Sequence, residues 1–514
     1  MEVKTEVIAR KSALIIISEI LGGALSYVSL YFITKYMGPS DYGIVAFAIG
    51  FVTLFSVFEN MGFHHSHIKK ISEGKDIGIC NGTFLVSKLG LTLLTVGLII
   101  FSIFFWKEIL NRGFETAEHE IAIFIMIVYI AIRSMAFFFN VTFRATREIA
   151  KRQLSILFEI VFRVVAIIYV SISGYGALAL AICYVIGEIG FLLVGFLMFR
   201  SYPIKKPTRL YFREYTSFAL PLIIVVASAT IMHNFDKVFI QLFWSASDVG
   251  YYFAAFGLSR YIDMFTIALI ALLFPTYSAL HSSNNLKRIN KLTYDSERYI
   301  SMTVFPMVFG LVVLAEPATK ILLSGWRPVI PILQILPFFA LLAALEAPYQ
   351  SQFVGTNKPK LARNRVVIMV VCNVVLNFIL IPQDIQSLGL KLFGLGAKGA
   401  AIATVFSYGV GLVYSRILIW RINGLKGNWR IIIHAISAII MSVILYVLLY
   451  HFNFINLIMR WYYLLGISIF GLGIYIFTLF IFGEFNKDDF YFFLDALNIK
   501  KMFIYIRDEL KGKN

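Results

Sequence analysis

Four basic side chains, Arg133, Arg163, Lys237 and Arg260, each fall inside a long apolar run. A guanidinium is a planar fork that donates two hydrogen bonds at once, a shape matched to phosphate oxygens. Carboxylates accompany two of the four. Glu159 stands four residues before Arg163, and Asp263 three after Arg260; both spacings put the partners on one helix face. Two chemistries fit such pairs: neutralisation that makes membrane insertion tolerable, or an arginine held in readiness until an anion arrives. Asp236 and Lys237 are adjacent, so they point roughly 100° apart on a helix and cannot neutralise each other from one face. With His233 and Asn234 they make the polar patch "HNFDK", read here as lining a cavity. Arg133 and Glu188 have no partner in their own runs; Arg133 is read as an anion contact and Glu188 as structural. Glu19 and Glu346 are carboxylates suited to coupling with H+ or Na+, with Asp236 and Asp263 beside them as ion-coupling or cavity-lining groups. His64, His65 and His67, next to Lys69 and Lys70, are read as a solvated interfacial cluster and not as metal ligands. The cysteines Cys80, Cys183 and Cys372 have no ligand spacing and read as small buried apolar residues.

The elements that must hold these groups are transmembrane helices. Of 514 residues, 59% are hydrophobic and 15% charged, against about 25% charged in a soluble domain. Runs of roughly 20 apolar residues cross a bilayer, and about fourteen are visible: 12–35, 42–63, 84–106, 120–142, 153–172, 177–199, 215–243, 250–275, 299–318, 329–354, 363–382, 395–420, 431–451 and 461–483. The fold class is therefore all-α and polytopic. The first run is too long for a cleaved signal peptide. Most of the Lys and Arg fall on the side of the chain ends, which the positive-inside rule reads as both termini in the cytoplasm. The net charge of +17 is thus a topology signal with some attraction to anionic membrane lipid, and nucleic acid is excluded as a partner. No G-x-x-x-x-G-K-[ST] loop occurs, and the short connections leave no room for a soluble catalytic domain. An enzyme is not expected, nor any cofactor.

The chain repeats itself. "GPSDYGIVAFAIG" (Gly38 to Gly50) returns as "SASDVGYYFAAFG" (Ser245 to Gly257), with Ser40, Asp41, Gly43, Ala48 and Gly50 matched by Ser247, Asp248, Gly250, Ala255 and Gly257. "GYGALALA" from Gly174 has its echo in "GAKGAAIAT" from Gly396. The second helix thus corresponds to the eighth and the sixth to the twelfth. A six-helix unit re-enters the membrane in unchanged orientation, so the halves are parallel repeats. Each turn residue also has a local job: Asp or Ser caps a helix start, and Gly allows a sharp turn or a close helix contact. The expected domains are 1–205 and 206–424 as six-helix bundles, 425–484 as two accessory helices, and 485–514 as a cytoplasmic tail. The accessory helices carry no Asp, Glu, Lys or Arg over 431–459 or 461–483, so lipid can surround them. The tail reads as an amphipathic helix on the inner leaflet.

"YMGPSDYGIVAFA", "FDKVFIQLFWSASDVGYYFAA" and "GTNKPKLARNRVVIMVVCNVVLNFILIP", followed by "GAKGAAIATVFSYGV", together resemble the polysaccharide-biosynthesis (Wzx-like) lipid-linked oligosaccharide flippases. That family lies within the multidrug/oligosaccharidyl-lipid/polysaccharide exporter superfamily. The resemblance runs from about Ser12 to Arg421. It implies two facing six-helix bundles in a cell (plasma) membrane working by alternating access. It also implies a polyprenyl or dolichyl (pyro)phosphate substrate carrying sugars, and polysaccharide-assembly proteins as partners. Its last helix pair implies a groove for the lipid tail. Glu19 departs from the arginines that some lipid II flippases of the superfamily carry around the first helix. On this resemblance Arg133, Arg163, Lys237 and Arg260 are the substrate-binding set. A cation-coupled multidrug exporter of the same superfamily is the alternative, disfavoured because these four charges would repel a cationic drug; a membrane glycosyltransferase or polymerase is more remote.

Overall fold

The computed structural model describes residues 2–490 except 110–112, 263–272, 274–275, 284, 386–388, 453, 455–459 and 488; for 2–13, 16, 109 and 385 it describes backbone alone. The chain is a succession of helices. In order these are α1 (Glu2–Tyr36), α2 (Pro39–Leu54), α3 (Ser56–Asn60), α4 (Phe63–Ser72), α5 (Ile77–Phe104), α6 (Ala117–Ala145), α7 (Ile149–Ile172) and α8 (Ala177–Phe199). Next come α9 (Arg209–Ala219), α10 (Ile223–Phe243), α11 (Ala246–Arg260), α12 (Leu286–Val313), α13 (Ala315–Leu322), α14 (Val329–Ile335) and α15 (Pro337–Gly355). The last four are α16 (Pro359–Leu380), α17 (Gly396–Asn423), α18 (Arg430–Tyr446) and α19 (Trp461–Ile481). A two-stranded antiparallel hairpin, Asp384–Ile385 with Leu390–Lys391, joins α16 to α17.

Among the described residues, eleven helices are long and apolar enough to cross a membrane, and counting each bent pair as one span raises the number to 13. Of the fourteen expected runs, the one without a counterpart is 250–275, most of which beyond α11 lies outside the described residues. Pro39–Leu54 and Ser56–Ser72 are bent by 43° at Phe55, and further along Met61 and Gly62 take left-handed backbone with φ 42 and 84. At the start of α2, Asp41 folds back to accept from the Gly38 N–H at 3.2 Å, satisfying a donor that the helix itself leaves open. Asp76 does the same for α5, accepting from Ile79 at 2.9 Å, and takes the Lys205 ammonium at 2.6 Å. Lys205, and then the Ile79 N–H, hold the Asp76 carboxyl below its ordinary value. The cap is therefore intact at neutral pH and is lost only as pH falls through that lowered value.

Packing divides the chain into two compact units: Ser18–Phe253 with Val370–Ala400, and Met1–Ile17, Ala254–Met369 and Ala401–Asn514. In the first, small residues let helices approach closely. A Cβ on Gly190 of α8 would stand 2.9 Å from the Phe162 ring of α7, and one on Gly195 would stand 3.2 Å from Phe139 of α6. The second unit holds the last two helices. α19 buries only Gly471, Tyr475, Thr478 and Leu479, as a helix facing lipid should. α18 is tied inward by His434, whose Nδ1 is 2.7 Å from Ser301 Oγ of α12.

A further buried tie of that unit lies near the middle of α12. Arg298 donates to Glu484 Oε1 at 2.5 Å and to both Asp489 oxygens at 2.8 and 2.7 Å, with all three side chains almost fully buried. Arg298→Ala would take the buried Asp489 carboxylate's cation away and leave Glu484 to Arg430 at 3.3 Å, an expected cost of about 3–5 kcal/mol. The check is the detergent-solubilised melting temperature, which should fall sharply and recover in part when Glu484→Gln and Asp489→Asn are added.

Candidate functional site

The first unit carries a cluster of two arginines and two carboxylates on α6, α7 and α8. Arg133 Nη1 donates to Glu188 Oε1 at 2.7 Å and to the Tyr129 hydroxyl at 2.6 Å. Arg163 Nη1 lies 3.2 Å from Glu159 Oε1, one helical turn away as the spacing predicts. Gly187 brings the two pairs together: a Cβ there would be 2.9 Å from Arg163 Cβ and 3.3 Å from Glu159 Oε1. Aromatic faces support both cations, Tyr129 and Phe137 under Arg133 at 5.5 and 5.2 Å and Tyr184 under Arg163 at 5.3 Å. Such contacts favour guanidinium over ammonium.

Exposure within the cluster is uneven, and that decides its chemistry. The Glu188 side chain keeps 1% of its surface accessible and Arg133 keeps 41%; Glu159 keeps 12% and Arg163 21%. The carboxylates sit behind and the guanidiniums in front. On α6 the exposed apolar edge is Ile121, Phe124 and Val128, and Arg133 lies roughly 120–180° around the helix from it. On α7 the exposed apolar residues are Leu154, Phe158, Phe162, Val165, Tyr169 and Ile172, with Arg163 roughly 100–180° away. Both cations therefore turn from the lipid-facing edge toward protein. Glu188 is the partner that Arg133 lacked in its own helix. Its second oxygen, Oε2, is buried and accepts no hydrogen bond among the described residues.

Asp236 and Lys237 diverge as their adjacency requires. Asp236 accepts from the Tyr252 hydroxyl at 2.5 Å and from Asn377 Nδ2 at 2.6 Å, and Asn377 lies 3.1 Å from Asn373 Oδ1. Asn377 Oδ1 is buried without a hydrogen bond among the described residues. One carboxylate and two amide side chains are thus gathered from α10 and α16, the donor types that hard cations take. Lys237 goes the other way. It donates to Asn234 Oδ1 at 2.9 Å, lies 5.1 Å from the Phe253 ring, and is buried beside Gly50 of α2, whose missing side chain makes the room.

The remaining expected residues make contacts of their own. Arg260 is the exposed last residue of α11, 5.9 Å from the Phe256 ring; Asp263 lies outside the described residues. Glu346 pairs with Arg365 at 2.7 Å and accepts from Ser415 at 3.0 Å, all within the second unit. Glu19 is exposed on α1, in electrostatic reach of Arg152.

The structure also shows intramembrane ion pairs that sequence reasoning missed. Lys88 of α5 is completely buried against Glu59 and lies 2.9 Å from His64. Arg416 of α17 pairs with Glu297, which also accepts from the Tyr349 hydroxyl at 2.9 Å. Lys88, Arg365 and Arg416 all stand inside the apolar runs, which was the available signal; their partners on other helices were not visible. The histidine cluster needs correction. His67 is fully buried, stacked on Phe84 at 4.2 Å, with its two nitrogens 2.9 Å from Tyr215 and 3.0 Å from Thr142. The bend at Gly62 turns this face of α4 inward, and only His65 remains exposed.

The sequence profile of the polysaccharide biosynthesis protein family matches residues 32–331. The chain belongs to that family. A probable low-salt glycan biosynthesis flippase, Agl15, of Haloferax volcanii is 25% identical over 407 residues, covering 79% of this chain and 82% of its own. Among solved structures, lipid II flippase MurJ in an inward closed conformation is similar at TM-score 0.72, with 15% identity over 92% of this chain and 98% of that one. An inward-facing multidrug resistance MATE family transporter is similar at TM-score 0.59, with 16% identity over 82% and 96%. These likenesses show the expected fold class, an all-α multi-pass membrane protein.

The Arg133–Glu188 bond is testable as a pair. A double-mutant cycle with Arg133→Gln and Glu188→Gln, read by thermal melts in detergent, should give a coupling of about 0.5–3 kcal/mol, with the double variant more stable than the single effects predict.

Proposed function

We propose that this protein flips a lipid-linked oligosaccharide across the membrane for glycan biosynthesis, and that Arg133 and Arg163 take the phosphate of its carrier. Membership of the polysaccharide biosynthesis family supports the cargo class. The observation that carries the assignment of residues is the order of charge in the α6–α8 cluster, accessible guanidiniums backed by buried carboxylates. An arriving phosphate offers each fork two oxygens, while Glu159 and Glu188 keep the cations neutralised and oriented when no cargo is present. The sugars pass with the head and the acyl chain stays in the bilayer, so only the polar part needs a watery path. Lys237 becomes available for a second contact when the packing of α2 on α10 loosens. A cation-coupled drug exporter needs the opposite arrangement, carboxylates in front.

Asp236, with Asn373 and Asn377, is the proposed ion-coupling group, because the unpartnered Asn377 oxygen beside a carboxylate fits a small cation. Whether H+ or Na+ fills that role is decided by gradient. With the basic loops in the cytoplasm, net flow runs from inner to outer leaflet, and polysaccharide-assembly proteins receive the product.

The test is a vesicle assay with a fluorescent polyprenyl-phosphate or dolichyl-phosphate oligosaccharide. Arg133→Ala and Arg163→Ala should each slow translocation by roughly tenfold to a hundredfold, the worth of a charge-assisted hydrogen bond, with insertion unchanged. Full rates in both variants would remove these residues from the site. Asp236→Asn should abolish the response to a Na+ or H+ gradient while leaving gradient-free exchange measurable. An unchanged response would rule it out as the coupling group.

A further inference from the structure

The α6–α7 hairpin carries its arginines in two tiers. Arg144 follows Arg133 on α6 by eleven residues, and Arg152 precedes Arg163 on α7 by the same eleven. That spacing brings a helix almost back to the same face, so each second-tier arginine lies below its counterpart, roughly 16 Å nearer the connection between the helices. Arg144 accordingly stands roughly 140–160° around α6 from the exposed apolar edge of Ile121, Phe124 and Val128. Asn140, buried one turn before Arg144, donates to the Arg152 backbone carbonyl at 3.4 Å. The two second-tier positions thus meet across the hairpin.

The tiers differ in counter-charge. Arg133 and Arg163 have Glu188 and Glu159. Among the described residues neither the Arg144 nor the Arg152 side chain makes an ion pair or a hydrogen bond, and Arg152 Nε is buried in that condition. Glu148, the acid nearest in the chain, is taken by Lys151 at 2.5 Å. Glu19 of α1 is in electrostatic reach of Arg152 but is itself exposed. Arg144 and Arg152 are in reach of each other, and Arg144 also of His64 and His65 on α4. α7 begins beside them without a side-chain cap, so its positive dipole end adds to the same field. Like charges gathered at the margin of a protein repel one another, and an anion between the two forks would relieve that repulsion. A guanidinium with an open donor edge is matched to the oxygens of a phosphate.

We infer that Arg144 and Arg152 form a second anion site, separate from the Arg133–Arg163 cluster, and that it binds a phosphoryl group. A pyrophosphate is too short to span the roughly 16 Å between the tiers, so each tier binds on its own. The positive-inside reading puts the second tier near the cytoplasmic surface. Two sources present the required oxyanion there: the headgroup of an anionic phospholipid, and a phosphate arriving with polar cargo. The inference does not rest on the cargo assignment, because inorganic pyrophosphate is a sufficient probe.

The experiment titrates the detergent-solubilised full chain with inorganic pyrophosphate and reads affinity by calorimetry. Arg133→Gln with Arg163→Gln removes the first tier, and this variant should still bind the anion. Adding Arg144→Gln or Arg152→Gln should weaken that remaining binding by about tenfold to a hundredfold, the worth of hydrogen bonds to a charged group. No binding by the first-tier variant, or an affinity that neither addition changes, would overturn the inference; the contact proposed for Arg133 and Arg163 would survive either result. Arg144→Glu in the otherwise native chain is the second measurement. It should pair with Arg152, hold the melting temperature at or above the native value, and remove one bound anion per chain. An undiminished stoichiometry there would overturn the inference even if the multiple variants do not fold. Native mass spectrometry from phosphatidylglycerol nanodiscs then separates the sources. Retained lipid that falls in Arg144→Gln and Arg152→Gln identifies the headgroup; retained lipid that stays, with pyrophosphate affinity lost, identifies a phosphate that comes with cargo.

Discussion

A charge that crosses into hydrocarbon must bring its own counter-charge, and this constraint arranges the whole molecule. An unpaired Arg, Lys or Asp at the centre of a spanning helix costs about 2.5–3.5 kcal/mol on insertion scales. Each of several intramembrane charges here is met by a partner on another helix: Arg133 by Glu188, Lys88 by Glu59, Glu346 by Arg365, Glu297 by Arg416. These bonds fix which helix faces meet inside each unit, because lipid and leucine are equally apolar and burial alone gives little preference between them. Glycines then set the distance. Gly187 and Gly190 let α7 and α8 come close enough for the arginine–carboxylate cluster to assemble.

The same pairing prepares function. A guanidinium held by one buried carboxylate is already desolvated on one side and oriented on the other, so an incoming phosphate meets a formed donor array. The aromatic rings under Arg133 and Arg163 restrict the cations further without consuming hydrogen bonds. Lys88, fully buried against Glu59, has no accessible edge and serves architecture instead.

Much of this was legible in the primary structure, but unevenly. The four-residue spacing of Glu159 and Arg163 gave their pairing, since both ends lie on one helix. The roughly 100° between Asp236 and Lys237 gave their divergence, and they do take different partners, Asp236 meeting Tyr252 and Asn377 and Lys237 meeting Asn234 beside Gly50. His67 was misjudged because polar neighbours suggest an interface, whereas a left-handed turn at Met61 and Gly62 rotates its helix into the core. Lys88 and Arg416 went unnoticed because their counter-charges come from distant positions in the chain.

Sequence by itself determined the solvent, the secondary structure and the duplication. Apolar run length is set by bilayer thickness, and an even repeat preserves orientation through the topology of membrane crossing. Tertiary structure alone decided the partners, because a helix fixes only what lies three or four residues away. The Arg133–Glu188 bond joins α6 to α8, and Gly43 of α2 packs on Gly250 of α11, one copy of the repeated motif against the other. Both depend on the packing of helices that are far apart along the chain, and no local spacing encodes that.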